Sequence, residues 1–137
     1  IAPFISGLRI TNADNRDIIG FINNQSFRAF VYVNISDNQT GIDFNSVKAD
    51  LSSLNDINQI GMRNKDTCTQ SGNIFICSWS VDIQLNQSKT ASILFNASDI
   101  GSNVRTETFN YEFNVDNADP VVTSLRSSRV ICLASKT

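Results

Sequence analysis

The chain of 137 residues contains no histidine. Without an imidazole, the usual bases that activate a serine or cysteine nucleophile are missing, so the common triads are excluded. Charge is also sparse: 11 Lys and Arg against 13 Asp and Glu give a net charge of −2, and charged residues make up only 18%, against roughly 25% in ordinary globular chains. No basic stripe is present to hold phosphates, which argues against nucleic acid as a partner. No apolar run approaches the roughly 20 residues that span a bilayer, so direct membrane insertion is not expected and any attachment lies elsewhere. A glycine-rich phosphate loop is absent. No spacing singles out a carboxylate pair among the 13 acids for glycoside chemistry. The expectation is a non-enzymatic protein that needs no cofactor.

Polarity comes instead from uncharged side chains, with 17 Asn, 17 Ser and 9 Thr. The chain also repeats itself. Pro3-Phe4-Ile5-Ser6-Gly7-Leu8-Arg9 recurs as Pro120-Val121-Val122-Thr123-Ser124-Leu125-Arg126, with Pro, Leu and Arg identical. Self-similarity at the two ends is how a window on a tandem array looks. We therefore expect one domain over residues 1–119, with residues 120–137 either starting a second repeat or acting as a strand-donating tail. The start at Ile1 reads as that of a processed or excised piece.

Between the repeats the dominant period is two. Phe27, Ala29, Val31, Val33 and Ile35 alternate with polar or outward residues, as do Phe75 to Leu85, Ala91 to Ala97 and Phe109 to Val115. This is the pattern of strands with one face in a core. We read about seven strands, near residues 4–12, 27–36, 46–53, 65–69, 74–84, 91–98 and 106–115. Ser71-Gly72-Asn73 and Gly101-Ser102-Asn103 punctuate them. Val47 to Leu54 is ambiguous between strand and helix. Seven short strands at this spacing predict an all-β, two-sheet antiparallel sandwich.

The run Phe95-Asn96-Ala97-Ser98-Asp99-Ile100-Gly101-Ser102-Asn103-Val104, followed by Val115-Asp116-Asn117-Ala118-Asp119-Pro120, resembles the end of an immunoglobulin-like repeat of archaeal and bacterial cell-surface proteins. Ser36-Asp37 and Gly41-Ile42 resemble an earlier loop of the same modules. In such repeats an Ala-x-Asp-x-x-Gly-Asn turn joins the last two strands; here the glycine falls one place early, at Gly101. The resemblance implies an immunoglobulin-like sandwich serving as a spacer or adhesive unit on a stalk or fibre.

Cys68 and Cys77 are separated by eight residues centred on Ser71-Gly72-Asn73. They would face each other across a hairpin, as a disulfide or as two buried thiols, and the spacing favours the bridge. A bridge would place the chain outside the reducing cytosol, on the cell surface or beyond it. Cys132 is left over, unpaired or paired with another module or subunit. A metal site is the weaker reading of the cysteines, since there is no histidine and no fourth thiol. Five sequons begin at Asn24, Asn34, Asn38, Asn86 and Asn96. The alternation places Asn34 and Asn96 on outward faces and the others in loops, where all five can carry covalent N-glycans. The bland reading is an AT-rich genome, which also fits 16 Ile against 7 Leu.

Acidic loops raise calcium as a further ligand. Asp14 and Asp17, with Asn12 and Asn15, would lie at the same end as Asp116 and Asp119, with Asn117, and hard oxygens there suit that ion. Solvated turn-forming side chains are the better explanation of these residues. Two structural expectations remain, with neighbouring copies of the chain or tandem modules as partners. In one, the chain is a subunit or module of an extracellular, pilus-like filament, its terminal strand adding to a sheet edge of the next copy through Val121, Thr123 and Leu125. In the other, it is a spacer or adhesion repeat of a larger anchored protein, binding glycans or a partner surface through outward Phe30 and Tyr32.

Overall fold

The computed structural model describes residues 2–18, 20–37, 41–59 and 61–116. Nine strands form there: β1 (Phe4–Asn12), β2 (Phe21–Asn23), β3 (Phe27–Ser36), β4 (Ile42–Asp50), β5 (Met62–Asn64), β6 (Thr67–Ser71), β7 (Ile74–Ile83), β8 (Lys89–Asp99) and β9 (Val104–Asp116). One sheet has the order β1-β3-β7-β6 and the other β2-β9-β8-β4-β5. Every ladder is antiparallel except β2 with β9, which is parallel. The two sheets pack as an all-β sandwich.

The expected count of about seven strands is therefore corrected to nine. β2 and β5 are three residues each, too short for a period of two to show. The ambiguous stretch resolves into two pieces. β4 starts at Ile42 and stops at Asp50, whose Oδ1 accepts the Ser52 N–H at 3.0 Å. A single 3-10 turn at Ser52–Leu54 follows, burying Leu51 and Leu54. The helical spacing of these apolar residues reflects a strand running into a turn.

The inward rows of both sheets make one core. In β3, Ala29, Val31, Val33 and Ile35 are buried while the residues between them are not. Trp79 from β7 meets Phe95 from β8 across the sandwich with ring centroids 5.4 Å apart, and Phe95 meets Phe109 of β9 at 5.8 Å. Burying a large apolar side chain contributes roughly 1.5–3 kcal/mol, so this aromatic stack is a principal tie between the sheets. The β1 ladder shifts register between Ser6 and Arg9. Gly7 permits that bulge with φ of +70°, and a Cβ there would stand 2.5 Å from the Asn34 Nδ2.

The strand directions give the molecule an entry pole and an exit pole. Arg105 Nε donates to the Pro3 carbonyl at 3.0 Å, so β1 and β9 begin side by side. At the other end Asn23 is opposite Asp116, Asn12 opposite Ala29, and Phe27 opposite Ile83. With roughly 3.3 Å of rise per residue, the length of β9 separates the poles by about 40 Å.

Candidate interaction surfaces

One lateral margin of the sandwich, at β5 and β6, is closed by side chains. Arg63 Nη1 donates to the Ser80 carbonyl at 2.7 Å, and its Nη2 donates to Asp66 Oδ1 at 3.1 Å. Asp66 Oδ2 accepts the Ser80 N–H at 2.6 Å, and Trp79 Nε1 donates to the Arg63 carbonyl at 3.0 Å. Arg63 belongs to the second sheet and Ser80 to the first, so the cluster ties the sheets together where the chain crosses between them. Partial burial pushes the Asp66 carboxyl up, but the hydrogen bonds from Ser80 and the Arg63 guanidinium outweigh it and hold the pKa below its ordinary value.

The disulfide expected from the cysteine spacing is present on this margin, joining Cys68 and Cys77 at directly opposed positions of β6 and β7. β6 otherwise buries almost nothing: its burial is confined to a half-buried Cys68 among four exposed residues. The covalent bond therefore does for this edge strand what apolar packing does for the others. Cys132 lies outside the described residues.

The opposite margin, at β1, β2 and β9, is more open. β2 pairs with β9 only from Asn114 to Asp116. Across the gap between the sheets, Tyr111 Oη donates to the Ile18 carbonyl at 2.9 Å. Burial, followed by the nearby Asp17 charge, pushes the Tyr111 phenol up from its ordinary pKa. At the exit pole an open groove of about 340 Å³ is lined by Ile18, Phe21, Ile22 and Phe27 with Asn12, Asp17 and Asn23. Phe21 is 75% exposed beside it. At the entry pole Phe4, Ile100 and Val104 are also exposed.

Phe30 and Tyr32 do face outward from β3 and both are half-buried. Tyr32 is already engaged: the Arg9 guanidinium lies 5.9 Å from its ring centroid, and its hydroxyl donates to Asn15 Oδ1 at 3.1 Å. An incoming sugar would have to displace Arg9 to stack there. Of the calcium candidates, Asp17 takes the Arg9 Nε at 2.6 Å. Asp14 donates its N–H to Asn12 Oδ1, which also receives the Arg16 N–H. Asp116 stands at the same pole, opposite Asn23. Asn117 and Asp119 lie outside the described residues. Among the described residues, no three His, Cys, Asp or Glu side chains gather where they can hold a metal.

The sequons differ in exposure. Asn24 and Asn86 are exposed in the turns before β3 and after β7, both at the exit pole. Asn34 is half-buried, with its Nδ2 close against Gly7. Asn96 Nδ2 donates to the Ser46 carbonyl at 3.1 Å, where Ser46 fills the bulge in β4. The outward placement expected for Asn34 and Asn96 holds, but the Asn34 amide is crowded by Gly7 and the Asn96 amide bonds to the fold. Asn38 lies outside the described residues, as do Val121, Thr123 and Leu125.

The turn between β8 and β9 follows the sequence motif with one substitution. Asp99 is buried and takes the Asn103 N–H at 2.8 Å and its Nδ2 at 2.9 Å. The left-handed residue is Ser102, with φ of +69°. It occupies the position at which the resembling repeats carry glycine. Sequence reasoning missed the Arg63–Asp66–Ser80 cluster, because its members are polar residues of ordinary type that only the crossing of sheets brings together. No protein-family model, curated protein or solved structure matches this chain. Among the described residues no helix is long and apolar enough to cross a membrane.

Proposed function

We propose that this chain is a non-enzymatic, immunoglobulin-like structural module of an extracellular surface fibre, joined head-to-tail through its terminal strand. The observation that carries the reading is the relation of the repeat to the poles. The described chain enters beside Pro3 and reaches Asp116 about 40 Å away at the opposite pole. Pro120, which repeats Pro3, follows only four residues later. A copy starting there sits end-on, and a heterologous contact of that kind propagates without closing.

Strand order supports the immunoglobulin-like assignment. If β1, β3, β4, β6, β7, β8 and β9 are lettered A to G, one sheet reads A-B-E-D and the other G-F-C, as in the constant-type arrangement. β2 and β5 add short strands outside G and C. Two features depart from antibody domains: the disulfide joins D to E within one sheet, and the buried Trp79 lies on E. The disulfide is compatible with an oxidising, extracellular setting. Asn24 and Asn86, exposed beside the exit pole, are the best-placed glycan acceptors.

Electron microscopy of the purified full chain, with intact mass on the same sample, tests the reading. Filaments with an axial repeat near 40 Å are expected, with mass above the bare 15.1 kDa where glycan is attached. Dispersed particles at the bare mass would overturn it. The adhesive alternative through Phe30 and Tyr32 is disfavoured by the Arg9 contact on Tyr32.

A further inference from the structure

We infer that the outer edge of β9 from Val104 to Phe113 accepts residues 120–126 of a neighbouring copy as an added parallel strand. The inference rests on the head-to-tail reading above and names the surface that would take the donated strand. An edge with unpaired backbone groups is a template for pairing, and folds blunt such edges where pairing is unwanted. The other edges are blunted or short. β4 is uncovered by β5 only from Ile42 to Val47, where its register shifts between Asp43 and Lys48. β1 carries the Gly7 bulge, and its far half is covered by the bridge from Asp17 to Thr11 and the hydrogen bond from Ile18 to Ile10. β2 and β5 have three residues each and β6 has five. Among the described residues, β9 pairs with β8 over Val104 to Phe113, and no strand lies on its other side there.

Burial along β9 shows what such a strand would do. Where β2 pairs, the inward Val115 is 8% exposed, and Phe113, one residue before the paired stretch, is 2% exposed. Beyond β2, the inward residues Arg105, Glu107, Phe109 and Tyr111 are only half-buried. The margin is thus finished where it has an outer strand and unfinished where it has none. β2, the outer strand on this edge among the described residues, runs parallel to β9, and a donated strand in line with it takes the same direction.

A strand in that direction has to come from another molecule. A parallel strand on this edge must begin at the entry pole, beside Val104. The chain's own Pro120 follows Asp116 at the exit pole by four residue steps, a reach of at most about 14 Å against the roughly 40 Å back to Val104. A neighbour stacked with its exit pole on this entry pole delivers its Pro120 at the right place. Stepping along in parallel, Val121 falls beside Arg105, Thr123 beside Glu107 and Leu125 beside Phe109. The Thr123 hydroxyl can then donate to the Glu107 carboxylate, and Leu125 covers the exposed part of the Phe109 ring. On the outer face Ser124 lies beside Thr108, and Arg126 comes within reach of Glu112.

The test uses the full chain with Cys132→Ser, whose assembly is first checked by electron microscopy. Thr108→Cys and Ser124→Cys are made in separate molecules, mixed and oxidised. A disulfide-linked dimer is expected from this mixture and not from either variant alone. Ser6→Cys on β1 and Gln70→Cys on β6, each mixed with Ser124→Cys, are expected to give no dimer. If the background protein assembles but Ser124→Cys couples to Ser6→Cys or Gln70→Cys, or to none of the three, the β9 assignment is overturned and the fibre reading stands. Self-coupling of Thr108→Cys alone would likewise overturn it, in favour of two β9 edges pairing. A background protein that stays monomeric and gives no dimer in any mixture would overturn both. Leu125→Asp is expected to abolish assembly without lowering the thermal stability of the monomer; unchanged assembly would count against the register.

Discussion

The two lateral margins of this sandwich solve the same problem in opposite ways. At the β5–β6 margin a disulfide, an arginine and an aspartate hold a strand that buries almost nothing. At the β1–β9 margin one tyrosine hydrogen bond and one arginine-to-carbonyl contact span the gap, and among the described residues no outer strand lies beside β9 from Val104 to Phe113. The closed margin carries most of its polar ties in a small covalently anchored cluster, while the open margin keeps unpaired backbone groups that suit strand addition. On the head-to-tail proposal, the first margin serves stability and the second serves contact.

Removing the staple should damage the closed margin most. The double variant Cys68→Ala/Cys77→Ala loses a short cross-link that the chain-entropy model values at about 2–3 kcal/mol. Urea unfolding is expected to show that loss as a lower midpoint, with β6 amides the first to lose hydrogen-exchange protection. Protection lost first along β1 would reverse the comparison. A midpoint unchanged from the parent would show that β6 is held by its backbone ladder alone.

Asp66 comes next. Its pKa is depressed in the fold, so its contribution is fully present above the unfolded value near 3.8 and is lost as pH falls through the lower folded value. Asp66→Asn is expected to cost about 1 kcal/mol at neutral pH, a figure kept small because the side chain is 40% exposed and solvent screens it. Below pH 4 the difference from the parent should shrink, because protonation then removes the same charge. Denaturant midpoints measured from pH 7 to pH 3 check this. A constant difference across that range would mean that geometry, and not charge, is what Asn fails to reproduce.

Much of this contrast was legible in the sequence, but unevenly. Period two located β3, β7, β8 and β9, because each presents four or more inward residues, whereas the bulged β4 buries only Ile42, Val47 and Ala49 and its start was not legible. The disulfide was legible because eight intervening residues with a central Ser-Gly-Asn fit a hairpin. β2 and β5 were not legible, since three residues carry no period. Nor was the Arg63 cluster, whose meaning depends on which strands become neighbours across the sheets. Asn34 and Asn96 were placed on the correct faces, yet alternation could not show that Gly7 stands close against the Asn34 amide or that the Ser46 carbonyl accepts from that of Asn96.

The displaced glycine is an intermediate case and a control on neither margin. Gly101 stands one place early for the motif, and the left-handed conformation falls on Ser102. Relief of that conformation by Ser102→Gly is expected to stabilise by about 0.5–1 kcal/mol, the entropy of glycine offsetting part of the gain. Thermal unfolding measures it. Destabilisation would mean that the serine side chain contributes more than its backbone costs. Because the turn faces the entry pole, assembly and monomer stability should be recorded together.

The smallest effect is expected on the open margin itself. Tyr111→Phe removes the hydroxyl that donates to Ile18 but keeps the ring, which packs on Phe113 with centroids 5.0 Å apart. A neutral hydrogen bond at a half-buried site contributes at the low end of its range, about 0.5 kcal/mol. The raised phenol pKa makes that contribution present below the unfolded value near 10 and lost as pH rises through the higher folded value. A phenylalanine ring has no such proton to lose, so the variant should overtake the parent in stability above that value. Unfolding midpoints at pH 7 and above pH 10 decide the matter. If the loss at pH 7 equals that of the disulfide variant, the β1–β9 margin is as firmly closed as the other, and a strand could enter there only by first displacing residues 16–18.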